Sequence, residues 1–158
     1  MSVSGISVLV VDDSRVIRMV LSDLLSELGF RTIHTAPSAQ EAIAAYNEHR
    51  PGLVFLDITM PEVPGTRVAR HILSADPYAK IVVVSAVSRD SDLVESVISE
   101  GVYEYIRKPV RRSDLVALVA RLEEDAAAGG RKDTDGITVL GSDTTEDTES
   151  APGPDGSS

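Results

Sequence analysis

Five times along this chain a short apolar run, rich in β-branched residues, gives way to a longer segment whose apolar residues recur at helical spacing. Apolar runs bounded by turn residues suit strands buried on both faces, and the segments between them suit amphipathic helices. Parallel strands need crossovers, and the intervening helices supply them on both sides of a sheet. The pattern predicts an α/β fold, a doubly wound five-stranded parallel sheet.

The strands are read at Ile6–Val11, Arg31–Thr35, Leu53–Asp57, Lys80–Ser85 and Tyr103–Ile106. The first helix places Val16, Ile17, Val20, Leu21, Leu24, Leu25 and Leu28 inward, and Gly29 stops it. Ser38 followed by Glu41 is a capping box for the second helix, which runs to about His49. The third carries Val68, Ile72 and Leu73 and ends near Ser74. The fourth spans Ser88–Ser99, with Leu93, Val94, Val97 and Ile98 on one face. The fifth starts near Arg112 and buries Leu115, Val116, Leu118, Val119 and Leu122.

Composition removes several function classes. With no cysteine, disulfide staples, thiolate metal sites and cysteine nucleophiles are excluded. No apolar run is long enough to cross a bilayer, and Met1-Ser2-Val3-Ser4-Gly5 lacks the basic region of a signal peptide. The expectation is a cytoplasmic protein. The net charge of −10 is uneven: residues 1–124 hold 17 acidic and 13 basic side chains, and residues 125–158 hold 8 and 2. The expected division is a folded domain over 1–124 and an acidic, disordered tail over 125–158, too poor in apolar residues to build a core. Within it Ile137-Thr138-Val139-Leu140 reads either as a chance apolar patch or as a short strand or peptide motif that docks on a partner. Neither part carries a basic stripe, which argues against direct nucleic-acid binding.

The chemistry-bearing residues lie where the strands end. Asp12 and Asp13 follow the first strand, Asp57 ends the third, Ser85 ends the fourth, and Lys108 comes just after the fifth. Open α/β sheets bind ligands at the carboxyl ends of their strands. A carboxylate there can attack phosphorus and form an acyl phosphate. Clustered carboxylates can seat Mg²⁺, which prefers oxygen ligands, while a lysine holds a phosphoryl oxygen as a point charge. Taken singly each residue is ordinary, since Asp12-Asp13-Ser14 could simply cap a helix. Together they describe a site that accepts a phosphoryl group.

The motifs Val10-Val11-Asp12-Asp13-Ser14, Leu56-Asp57-Ile58-Thr59-Met60-Pro61, Gly65, Val84-Ser85-Ala86 and Lys108-Pro109 resemble those of response-regulator receiver domains of two-component signalling, over about residues 6–122. The resemblance implies a flavodoxin-like sheet with strand order 2-1-3-4-5. It implies Asp57 as the phosphoacceptor, with Mg²⁺ held by Asp12, Asp13, Asp57 and the main-chain carbonyl of Thr59. Lys108 would pair with the phosphoryl group, and the Lys108-Pro109 bond would be cis. Ser85 and Tyr105 would form the switch pair, Ser85 moving toward the phosphoryl oxygen as Tyr105 turns inward. The implied partners are a sensor histidine kinase or histidine phosphotransfer protein, meeting the start of helix one around Ser14, Arg15, Ile17 and Arg18. An unidentified protein target would read the face formed by helix four, strand five and helix five. The implied state is a monomer or a phosphorylation-dependent dimer. The Asp-Asp-Ser start, with Arg18 four residues after Ser14, leans toward chemotaxis-type receivers.

Two positions depart from fast-cycling receivers. Thr59 and Val87 stand where an amide or acid would orient water, which points to a longer-lived phosphorylated state. The segment Glu62-Val63-Pro64-Gly65 carries an extra proline beside the usual glycine. Three rival readings fit these residues less well. An Asp-nucleophile phosphatase would want a second acid where Thr59 stands. A flavin-binding module would want a phosphate loop where Asp12-Asp13 stands. A degenerate receiver used as a scaffold would not need the complete acidic set. His34, His49 and His71 share no motif spacing and read as structural or solvated.

Overall fold

The computed structural model of the protein describes residues 3–61 and 63–128. After a 3₁₀ turn at Val3–Gly5 come β1 (Ser7–Val11), α1 (Arg15–Glu27), β2 (Thr32–Ala36), α2 (Ala39–His49) and β3 (Leu53–Leu56). Then follow α3 (Gly65–Ala75), β4 (Lys80–Ser85), α4 (Asp92–Ser99), β5 (Glu104–Arg107) and α5 (Arg112–Ala127). The five strands form one parallel sheet in the order β2-β1-β3-β4-β5. Both the predicted architecture and the implied strand order are found.

Alternation along each strand divides the core in two. Leu9, Val11, Val54, Leu56, Ile81 and Val83 face α2, α3 and α4. Val8, Val10, Leu53, Phe55, Val82 and Val84 face α1 and α5 through Leu21, Leu25, Leu115, Leu118 and Leu122. Each fully buried aliphatic side chain contributes about 1.5–3 kcal/mol. β1, β3 and β4 are therefore apolar nearly throughout, whereas β2, at one edge, exposes Thr32 and Thr35 and only half-buries Ile33 and His34.

Side-chain caps fix the helix starts. Ser14, Ser38 and Ser91 accept from the backbone N–H three residues on, at 3.3, 3.2 and 3.2 Å. The Asp114 carboxylate accepts from the Arg111 N–H at 2.9 Å. At Gly29 the chain turns with φ +106°, as a residue past a helix end should.

The structure corrects several expectations. α4 begins at Asp92 and not at Ser88. The Ser88 hydroxyl accepts from the Asp90 N–H at 3.2 Å, a local turn that competes with helix, and Ser91 becomes the cap. On α1 the buried line is Leu21–Leu25, so Val16 and Val20, about 100° or more around the helix from Leu21, are exposed. Leu93 on α4 and Val116 on α5 also lie outward. The fifth helix runs past residue 124, because the buried Tyr103 donates its hydroxyl to the Asp125 carboxylate. The Arg121 guanidinium lies 4.3 Å over the same ring, and the last turn is thereby tied to the sheet. Burial first, then the hydrogen bond to Asp125, pushes the Tyr103 phenol above its ordinary range. Glu62, the remainder of the acidic tail and Ile137–Leu140 lie outside the described residues.

Candidate functional site

Strand order brings the acidic residues together. β1 and β3 are neighbours with Val11 opposite Leu56, so the residues that leave them, Asp12 and Asp57, emerge side by side. The Asp57 N–H donates to the Val11 carbonyl at 2.9 Å, and the Asp12 N–H donates to the Ala36 carbonyl at 3.2 Å. Asp12 and Asp57 are each only 2% exposed, while Asp13 stands at the solvent rim. Carboxylate oxygens of all three lie within 4.8 Å of one another.

Each buried oxygen is engaged. The Asp12 Oδ1 accepts from the Ser14 N–H at 2.9 Å, and the Asp12 carbonyl accepts from the Arg18 guanidinium at 2.7 Å. The Asp57 Oδ1 accepts from both the N–H and the hydroxyl of Thr59, at 2.9 and 2.8 Å. Its Oδ2 is turned to Lys108 Nζ at 3.3 Å, and the same ammonium lies 2.8 Å from Asp12 Oδ2. Lys108 reaches the pair from the far side of β4. Its N–H donates to the Ser85 carbonyl at 2.9 Å, and the Lys108–Pro109 peptide bond is cis.

Burial raises the Asp12 carboxyl above its ordinary 3.8, and the Asp57 charge adds to the rise. The Lys108 ammonium and the Ser14 N–H pull the other way without cancelling it. Burial alone would lower Lys108, but the two carboxylates outweigh it and hold the ammonium above 10.5. The ion pairs of Lys108 thus contribute stability in full below 10.5, lost as pH rises through the higher folded value. Asp12 acts in the opposite sense, since a raised carboxyl costs stability once it ionises. Three converging carboxylates, one protonated more readily than usual, are a donor set that fits a hard divalent cation.

Ser85 is fully buried at the end of β4, and its hydroxyl accepts from the Val87 N–H at 3.0 Å. Tyr105, on the neighbouring strand, donates its hydroxyl to the Val87 carbonyl. The backbone of one residue, Val87, therefore links the two: its N–H goes to Ser85 and its carbonyl to Tyr105. Gly65 opens α3 against the exit of β3. A Cβ there would stand 2.3 Å from the Asp57 carbonyl oxygen and 2.6 Å from Ile58 Cα. The sequence places Arg18 on the phosphodonor face and Val87 where water would be oriented, but it discloses neither the Arg18 bond to the Asp12 carbonyl, nor the close approach at Gly65, nor the Val87 backbone bonds. His34 and His49 stack with ring centroids 3.8 Å apart at the β2 edge, away from the acidic cluster.

A doubly wound sheet with these side chains at the ends of β1, β3 and β5 defines the receiver class, and the family model of the response regulator receiver domain matches residues 8–120. The chain belongs to that family. Chemotaxis protein CheY of Thermotoga maritima is 35% identical over 120 residues, 76% of this chain and 99% of that protein. The transcriptional regulatory protein PdtaR of Mycobacterium tuberculosis is 37% identical over 127 residues, 78% of this chain and 61% of that one. The CheX-CheY-BeF3-Mg+2 complex from Borrelia burgdorferi superposes with a TM-score of 0.69 at 31% identity, covering 75% of this chain and 89% of that one. No helix among the described residues is long and apolar enough to cross a membrane.

Proposed function

We propose that the protein is a phosphorylation switch in which Asp57 accepts a phosphoryl group from the phosphohistidine of a kinase or phosphotransfer protein. The observation that carries this reading is the convergence of Asp12, Asp13, Asp57 and Lys108 at one end of the sheet. An Asp57 oxygen attacks phosphorus, the P–N bond breaks, and its electron pair returns to the departing imidazole. Asp12, Asp13, Asp57 and the Thr59 carbonyl would hold Mg²⁺, which would supply positive charge to the transferring group. Thr59 holds Asp57 Oδ1, which leaves Oδ2 on the side of the Lys108 ammonium. Lys108 exchanges its hold on that carboxylate for a hold on the new phosphoryl oxygens.

Ser85 would exchange the Val87 N–H for a phosphoryl oxygen. The residue it releases, Val87, is the one whose carbonyl Tyr105 holds, so the change passes through the Val87 backbone to β5. The surface that would then bind a protein target is formed by α4, β5 and α5. A groove of about 200 Å³ lined by Ile17, Val20, Leu21, Pro109 and Val110 opens beside Lys108. With the exposed Val16 and Met19, it offers an apolar approach for the phosphodonor.

Intact mass measured after acetyl phosphate treatment tests the chemistry. The expected result is one added phosphoryl group that requires Mg²⁺ and is absent in Asp57→Asn. A folded, Mg²⁺-binding protein that gains no mass would move the reading to a scaffold. A second measurement addresses lifetime. Thr59 commits its hydroxyl to Asp57, and the Val87 side chain packs against the core, so neither orients water. The acyl phosphate is expected to persist for minutes at neutral pH; a half-life of seconds would sink this part of the reading.

A further inference from the structure

The end of the sheet opposite the acidic cluster holds a cavity of about 350 Å³. Its apolar wall is formed by Ile6, Leu122 and Ala126, Gly52 leaves one side open, and Arg50 and Lys80 stand at it as the charged residues. Among the described residues neither cation has an ion-pair partner. Arg50 lies 5.1 Å over the Tyr46 ring, and Lys80 lies 5.5 Å over the Tyr103 ring. Arg50 also occupies the left-handed position after α2, with φ +46° and ψ +57°, where glycine is the residue without cost.

The chain that continues from α5 starts at this cavity, because Ala126 is part of its wall and α5 ends at Ala127. Residues 129–158 carry 7 acidic and 2 basic side chains. They contain one apolar segment, Ile137-Thr138-Val139-Leu140, preceded by Asp133 and Asp135 and followed by Asp143, Glu146, Asp147 and Glu149. We propose that this segment docks in the cavity at the foot of the sheet. One alternating face, Ile137 and Val139, fills the apolar wall, and the acidic flanks meet Arg50 and Lys80.

Reach and concentration both permit it. The nine steps from Ala128 to Ile137 span at most about 30 Å when extended, and about 17 Å root-mean-square as a coil. Tethering at that distance gives an effective concentration in the millimolar range, so even a weak contact is populated. Charge complementarity chooses the site, since acidic flanks and unpaired cations attract across a Debye length of about 10 Å at 0.1 M salt. Chain handedness removes the nearest rival. α5 packs on the α1 face, opposite α2, α3 and α4. A sixth strand beyond β5, reached through α5, would need a left-handed crossover, and about 98% of such connections are right-handed. The docked segment lies at the amino ends of the strands and leaves Asp57 open.

The full chain lacks cysteine, so Ser142→Cys provides a single site for a nitroxide label. The expected result is loss of the ¹⁵N-amide signals of Gly5, Ser7 and Gly52, restored when the nitroxide is reduced. Arg50→Gly with Lys80→Gln should abolish that loss. Glycine suits the backbone at position 50, so the variant keeps its fold. Ile137→Asp with Val139→Asp should also abolish it without touching residues 3–128. Raising salt from about 0.01 M to about 1 M, which shortens the screening length from about 30 Å to about 3 Å, should restore the signals. Loss at β5 or at β2, loss spread evenly over the surface, or loss insensitive to all these changes would overturn the proposal. So would loss seen only when spin-labelled, unlabelled-nitrogen chains are mixed with ¹⁵N chains, which would place a second copy in the cavity.

Discussion

A Gly65→Ala protein is expected to lose about 3 kcal/mol of stability, read as a lower urea midpoint at unchanged slope. The added methyl would stand 2.3 Å from the Asp57 carbonyl oxygen and 2.6 Å from Ile58 Cα. Both obstacles are backbone, so no side chain can swing aside. Either α3 moves away from the sheet or the chain leaving β3 shifts, and the second alternative displaces Asp57 itself. A misplacement on the order of 1 Å at a reacting group costs about 100-fold in rate, so phosphoryl uptake should fall even where the variant remains folded. Gly5→Ala is the control. A methyl at Gly5 meets nothing within 4 Å, and its effect should stay within about 0.5 kcal/mol. A Gly65→Ala midpoint equal to that of the control would refute the close-approach account.

That role of Gly65 marks a boundary of what the sequence discloses. The central strands are legible because burial on both faces makes Leu53–Leu56 and Lys80–Ser85 nearly continuous apolar runs. The acidic cluster is legible because its members end strands, and five β/α units leave few ways to arrange those ends. Helix faces are less so. Periodicity marks an apolar stripe on α1 but not its centre, and Val16, Met19 and Val20 proved to be surface beside the Pro109 groove. Composition suggested an end of order at residue 124, whereas a hydroxyl from β5's approach, Tyr103, anchors Asp125. The link between Ser85 and Tyr105 runs through the N–H and C=O of residue 87, groups that nearly every residue type provides. The stacking of His34 on His49 is likewise a tertiary event between an edge strand and a helix end.

Lys108→Gln is expected to change metal binding and phosphoryl uptake in opposite directions. The ammonium sits 2.8 Å from Asp12 and 3.3 Å from Asp57, with its side chain 16% exposed. Without it two buried carboxylates face each other, and Asp13 adds a third at the rim. Breaking a buried ion pair from one side costs about 3–5 kcal/mol when the stranded charge cannot neutralise. Here it can, by taking up a proton or a cation. Asp12 already titrates above 3.8, so the folded variant binds more protons than the unfolded chain as pH drops. Its stability in chelator should therefore rise as pH falls toward the carboxylate range. Mg²⁺ should restore it at neutral pH, by about 2.7 kcal/mol at a concentration one hundred times Kd. Removal of a competing positive charge should make that Kd tighter than in the unmodified protein. On the proposed mechanism the lost charge is the one that meets the transferring group, so phosphoryl uptake should nevertheless fall about 100-fold. Urea titrations with and without Mg²⁺, paired with phosphorylation rates, read both effects. Weaker Mg²⁺ binding in the variant would mean that Lys108 supports the metal site, and undiminished uptake would remove it from the transfer step.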